Sequence, residues 1–176
     1  MQAEVIKKIL YDAVAEIGRE KMQIEVRSDM GAAKKYINRL LFAYSSEIGL
    51  ENQNAAPRFI EALLHLMLTI SGVPSERRVN VDTAHLDIVI PSIRVLRKDP
   101  RKSLVIQIMD PDDPRVNESI KKFQPVDNNV WLVSEKPLIT RYRNYSIVGE
   151  PSISNIIVDI IGFLRDSGVN GPRLIH

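Results

Sequence analysis

The stretch HLDIVIPSIRVLRKDPRKSLVIQIMD, residues 85–110, decides the fold. Residues 86–90 and 104–109 are continuous runs of valine, isoleucine and leucine, the composition of strands covered on both faces. Between them stand Arg94, Arg97, Lys98, Arg101 and Lys102, relieved by Asp99, and the Asp99-Pro100 pair is a turn signal. The simplest arrangement is an antiparallel pair with a basic tip. Asp87 interrupts the first run, and an aspartate among such neighbours is costly unless it is exposed, paired or metal-bound. Gln107 interrupts the second run with an amide where a carboxylate would carry charge.

Working outward, the flanks alternate between helical and extended periods. Toward the amino terminus, Ile6, Ile9, Leu10, Ala13 and Ile17 fall at helical spacing, and Gly18 offers a stop. A second helix is expected over residues 30–47, capped by Ser28 or Asp29, with Ile37, Leu40, Leu41 and Tyr44 on one stripe. The polar run at 49–57 reads as a loop, and Pro57 suits the first turn of a third helix that ends at Ser71-Gly72. From residue 77 the period shortens, and residues 77–82, 86–90, 104–109 and 129–133 read as strands. A short helix over 116–123, a weaker strand near 145, and an apolar helix over 154–168 entered from Ser152 or Ser154 complete the chain. This order predicts an α/β fold, a mixed central β-sheet flanked by helices. Residues 1–50 form an N-terminal helical extension packed on a core of residues 51–176.

Composition excludes several chemistries. A chain of 176 residues can bury a substantial core, and its 44% hydrophobic and 26% charged content is ordinary for a globular protein. The absence of cysteine removes disulfides, thiolate metal sites and cysteine catalysis, and fits a reducing, cytoplasmic setting. No apolar run approaches the roughly 18 residues of a membrane span, so no membrane partner or targeting segment is expected. The net charge of +2 is too small to imply nucleic acid by itself. There is no Gly-rich phosphate loop, no G-x-S-x-G elbow and no H-E-x-x-H, so nucleotide hydrolysis, serine esterase and zinc protease chemistry lack local support.

From residue 57 to residue 133 the order helix, strand, strand, strand, helix, strand resembles the core of the PD-(D/E)XK, or restriction-endonuclease-like, superfamily. The resemblance implies an acid on the first helix, an aspartate on the second strand and an acid-x-lysine on the third. Glu61, Asp87 and Gln107-Ile108-Met109 occupy those places. In the family two carboxylates hold Mg²⁺, the metal lowers the pKa of an attacking water, and the lysine orients that water. Met109 can do none of the lysine's work, so the resemblance implies a degenerate site and no cofactor. A repaired, active site would need Mg²⁺ held by Glu61, Asp87 and Asp110, with Lys121 or Lys122 replacing the lysine and Gln107 lending a carbonyl oxygen.

Each of these residues also has an ordinary structural reading. Glu61 precedes His65 by four residues on one helix face, where the two can hydrogen-bond. Asp110, Asp112 and Asp113 form a natural turn and helix cap. A tip joined at Asp99-Pro100 would place Asp87 nearer residue 112 than Gln107, unless Pro91 or a long asymmetric connection shifts the register. For nucleic acid, DNA or RNA, the candidate contacts are Arg94, Arg97, Lys98, Arg101 and Lys102, together with Arg141 and Arg143, which alternate with Tyr142 and precede Tyr145. Solubility of a loop and packing of a strand account for the same residues. The functional expectation is a degenerate nuclease-fold protein that binds nucleic acid or assists a nucleic-acid enzyme. The alternatives are an active Mg²⁺-dependent nuclease and a scaffold or homodimer joined through the C-terminal helix.

Overall fold

The computed structural model describes residues 2–48, 55–113 and 115–169. Four helices come first: α1 (Gln2–Ile17), α2 (Arg19–Ser28), α3 (Ala32–Ile48) and α4 (Ala56–Ser71). A five-stranded sheet follows, built from β1 (Glu76–Val81), β2 (Ala84–Ile90), β3 (Leu104–Ile108), β4 (Val130–Ser134) and β5 (Arg143–Ser146). Helix α5 (Ile93–Lys98) joins β2 to β3, α6 (Glu118–Phe123) lies between β3 and β4, and α7 (Ile156–Asp166) closes the described chain. The loop expected at 49–57, and with it the boundary expected at 50/51, falls mostly outside the described residues.

Helix α4 shows how sequence becomes packing. Pro57 stands in its first turn, where a missing N–H costs nothing, and Gly72 ends it in the left-handed conformation at φ 69°. Its Phe59, Ile60, Leu63, Leu64, Met67 and Leu68 are all buried, because α1, α2 and α3 cover the sides that the sheet leaves free. Burial of that many large apolar side chains, at roughly 1.5–3 kcal/mol each, makes α4 the axis of the fold.

The sheet order is β1-β2-β3-β4-β5, antiparallel across the first two pairs and parallel across the last two. Both faces are covered. Ile88, Ile90, Leu104, Ile106, Trp131, Val133 and Tyr145 join the core of α1 to α4 and α7, while Leu86, Val89 and Val105 pack on Leu96 of α5 and Ile120 of α6.

Two local differences from the sequence reading have plain causes. Helix α2 is absent from that reading because REKMQIEVRS is polar and only Met22 and Val26 are buried. Arg27 nevertheless ties it down, donating from Nε to the Ile70 carbonyl at 3.1 Å across the end of α4. The basic tip is likewise not a hairpin turn. Ser92 caps α5 by accepting the Val95 N–H at 3.3 Å, and Leu96 anchors it, so the connection is a helix followed by a 3-10 turn at Pro100–Lys102.

That long connection sets the register. Ile88 pairs with Ile106 and Ile90 with Leu104, which places Asp87 across from Gln107 rather than near residue 112. The turn after β3 corrects another expectation: α6 is capped by Asn117, whose side chain accepts the Ser119 N–H at 2.9 Å, not by Asp110, Asp112 or Asp113.

Candidate functional site

The β2–β3 ladder stops at Ile88 and Ile106, and beyond it side chains replace backbone partners. Asp87 N–H donates to Gln107 Oε1 at 2.8 Å, and Gln107 Nε2 donates to the His85 carbonyl at 3.2 Å. In return Asp87 Oδ2 accepts the Ile108 N–H at 2.8 Å. Gln107 is buried, and it spends both ends of its amide on β2. A carboxylate there could accept from Asp87 but could not donate to His85, which is a local reason for an amide at this position.

Asp87 is aimed by a break in the pleat. Leu86 and Val89 pack on the α5 and α6 side, whereas Ile88 and Ile90 pack on the α4 side, so alternation fails at Asp87. Opposite, Arg78 lies between the paired positions Arg77↔Ile88 and Val79↔Leu86 with φ at +52°, a conformation rare outside glycine. Its side chain reaches Glu61 of α4 with both edges of the guanidinium, Nε to Oε1 at 2.6 Å and Nη2 to Oε2 at 2.9 Å. Arg77 Nη1 stands 3.9 Å from the same carboxylate.

The electrostatics follow from this geometry. Burial pushes the Asp87 carboxyl up from its ordinary value, opposed by the Ile108 N–H and by His85, whose Nε2 lies 3.3 Å from Asp87 Oδ1. Glu61 adds to the upward push on Asp87, which puts the two carboxylates in one field. The hydrogen bonds from Arg78 hold Glu61 below the usual carboxylate range, and Arg78 also feels the charge of Asp87. A guanidinium therefore stands beside the acid pair as its cation. The expected partnership of Glu61 with His65 is replaced by this clamp.

The other expected members of a metal site are used elsewhere. Asp110 is exposed and accepts the Asp112 N–H at 2.9 Å within its own turn. Met109 is buried in an apolar cluster with Val130, Leu132, Leu138 and Tyr142, where an ammonium would lose its hydration. Lys121 pairs with Glu118 at 3.0 Å, and Lys122 lies exposed on the next position of α6. Among the described residues no three histidine or acidic side chains gather as a metal would require. The donor set does not fit a Mg²⁺ ion: one carboxylate is clamped, the amide is occupied, and the lysine position is apolar.

The candidate nucleic-acid contacts divide by location. Arg94, Arg97 and Lys98 lie on α5 and Arg101 and Lys102 in the 3-10 turn, all joining the carboxyl end of β2 to the amino end of β3. Gln107 is three residues along β3 from Leu104, so this group begins at least about 10 Å from the Asp87–Gln107 pair. Arg101 is paired with Asp99 at 3.0 Å.

Arg141 and Arg143 are tied into the fold. Arg141 meets Asp127 at 3.1 Å and lies over the Tyr142 ring, while Arg143 meets Asp159 at 2.7 Å and covers the Trp131 ring at 4.5 Å. Tyr142 and Tyr145 are buried, and Tyr145 donates to Asp159 at 2.7 Å, so packing rather than stacking on bases accounts for both. The isoleucines of the C-terminal helix are also occupied. Ile156, Ile157 and Ile160 lie in the main core, leaving Val158 as the exposed apolar residue of that stretch. No helix among the described residues is long and apolar enough to cross a membrane.

Comparison with protein-family models and with curated protein sequences gives no match. Solved structures do match. The chain is similar to the restriction endonuclease PspGI in a complex with substrate DNA, with a TM-score of 0.53 at 16% identity over 92% of this chain and 93% of that one. It is similar to metal-depleted Ecl18kI bound to uncleaved DNA, with a TM-score of 0.51 at 12% identity over 94% and 84% of the two chains. A second Ecl18kI complex, with uncleaved, modified DNA, gives 0.55 at 11% over 90% and 78%. The likeness spans the N-terminal helices as well as the sheet. The mixed five-stranded sheet flanked by helices and these neighbours give this chain a restriction-endonuclease-like fold.

Proposed function

We propose that this protein binds nucleic acid and does not cleave it by the metal-dependent route of its fold. The observation that carries the reading is the Arg78 clamp: a guanidinium, always charged, grips Glu61 bidentately beside Asp87. A fixed cation in that field repels a divalent ion, and the clamped Glu61 oxygens have less lone-pair capacity to offer one. The nuclease-fold neighbours named above are DNA complexes, and a protein with this fold and a basic surface is suited to the same polyanion. An accessory place beside a nucleic-acid enzyme, and a cytoplasmic location, belong to the same proposal.

The test uses the intact protein with single-stranded, duplex and branched DNA and RNA, in the presence of Mg²⁺ or Mn²⁺. We expect retention of the nucleic acid at low salt without cleavage. Cleavage abolished by Asp87→Ala would overturn the reading in favour of a rearranged active site. Absence of binding to every probe would favour a scaffold role instead.

A further inference from the structure

A second polar feature runs along α4 and shares Glu61 and Arg78 with the site just described. Helix α1, the start of α2, α4 and the edge strand β1 enclose a cleft of about 380 Å³. Lys7, Arg19, Arg77 and Arg78 line it, with His65 and the ring of Tyr11. A neighbouring cavity of about 420 Å³ shares Lys7, Arg77 and Arg78, adds Arg58, and contains the single acid of the pair, Glu61. The two cavities adjoin as one trough.

Its charge is unbalanced. Glu61 offsets Arg78 and in part Arg77, while Lys7, Arg19 and Arg58 have no carboxylate within 4 Å among the described residues. His65 responds to the same field: burial and then the nearby Arg77 push its imidazole below its ordinary value, with Arg19 adding to the effect. Lysine and arginine side chains this close repel one another, and an arriving polyanion relieves that repulsion. Tyr11 adds a second kind of contact, since its side chain is 65% exposed on α1 and faces the cleft rather than the core.

An exposed ring beside cations with charge to spare is the combination by which proteins hold unstacked bases with their phosphates. The volume limits the choice further. A cleft of this volume admits a flat base and its phosphate, whereas a duplex keeps its bases paired and stacked inside two backbones.

We infer that the trough between α1, α4 and β1 binds a single strand of nucleic acid, with Tyr11 stacking on a base and Lys7, Arg19 and Arg77 contacting phosphates. This inference rests on the nucleic-acid reading and specifies the form of the ligand and where it lies.

The test is anisotropy of fluorescein-labelled oligonucleotides on the full chain: a 12-residue oligothymidylate, an abasic strand of equal length, and a 12-base-pair duplex. The wild type should hold the oligothymidylate at least about fivefold more tightly than the abasic strand, the low end of the stacking contribution of one base. Tyr11→Leu should erase that preference and Tyr11→Phe should keep it, while circular dichroism checks that both remain folded. Replacing Lys7 and Arg19 together with serine should make the log-log salt dependence for the single strand shallower by about 1.4, from roughly 0.7 per phosphate neutralised. Equal affinity for the thymidylate and abasic strands, or an unchanged salt slope in the double variant, overturns the trough as the site. If duplex binding survives in that case, the broader nucleic-acid reading stands without it. If no probe binds, both fail.

Discussion

The two ends of the β2–β3 pair use polar residues in opposite ways. At the Asp87–Gln107 end every polar group is engaged: the amide bridges β2, the carboxylate accepts a backbone N–H, and Glu61 is clamped by Arg78. At the α5 end the charges project into solvent, and among the described residues only Arg101 has a close acidic partner, Asp99. The difference is that Glu61, Asp87 and Gln107 are held by neighbouring groups of the fold, while the basic residues of α5 and its turn are exposed. The contribution of these polar contacts to the fold is measurable as stability.

The largest expected effect lies at Gln107. Gln107→Leu keeps much of the volume but leaves the Asp87 N–H and the His85 carbonyl without their partner, which should cost about 1–3 kcal/mol of unfolding free energy. Urea denaturation of the two proteins measures it. An unchanged midpoint would mean that water replaces the amide at no cost and that the residue is not a structural bridge.

A sharper comparison comes from Gln107→Glu, the substitution that puts a carboxylate in place of the amide on β3. It removes the donor to the His85 carbonyl and sets a second carboxylate beside Asp87, so the variant should melt below the wild type near neutral pH. Millimolar Mg²⁺ should recover little of that loss while Arg78 remains. Full recovery by the metal would show that one charge suffices to rebuild the site.

The two acids should also respond to pH with opposite signs. Asp87 has its folded pKa raised by burial, so the native state holds its proton more strongly, and stability falls as pH rises from the unfolded value, about 4, through the folded one. Asp87→Asn removes that decline, and its stability relative to the wild type should improve across the same rise. Glu61 has its folded pKa lowered by Arg78, so its contribution is present above the unfolded value and lost as pH falls through the folded one. The deficit of Glu61→Gln should therefore be widest near neutrality and close in acid. Thermal melts from pH 3 to pH 7 read both trends, and parallel curves for the two variants would contradict the assignment.

The smallest effect on stability is expected at α5 and its turn. Replacing Arg97, Lys98, Arg101 and Lys102 with serine should leave the melting midpoint nearly unchanged, because these side chains are exposed. If they touch duplex phosphates, the same change reduces the log-log salt slope of binding by up to about 0.9 for each phosphate no longer neutralised. An unchanged slope assigns the polyanion to another surface, such as the α1–α4 trough.

Much of this fold was legible because its strands carry their own signature. The runs at 86–90, 104–109 and 129–133 are too short and too rich in β-branched residues for another reading, and Pro57 and Gly72 mark the ends of α4. The placement of Glu61 on a helix and of Asp87 on a strand was legible for the same reason, since each stands within an identified element. The register was not legible, because it depends on α5, a one-and-a-half-turn helix whose signals are one capping serine and one buried leucine. Arg78 was missed altogether. Its role depends on a left-handed backbone position in an edge strand and on its pairing with Glu61, 17 residues earlier, and neither has a local pattern in ERRVNV.

Arg78 is proposed to hold the place of a cation at Glu61, beside Asp87. That role is tested most directly by calorimetric titration of Mn²⁺ into the wild type, Arg78→Ser, and Arg78→Ser combined with Asp87→Ala. We predict no saturable binding to the wild type at millimolar metal, a saturable site in Arg78→Ser where the two carboxylates are freed, and loss of that site in the double variant. Saturable Mn²⁺ binding to the wild type at millimolar metal, or none to Arg78→Ser, would contradict that role of Arg78.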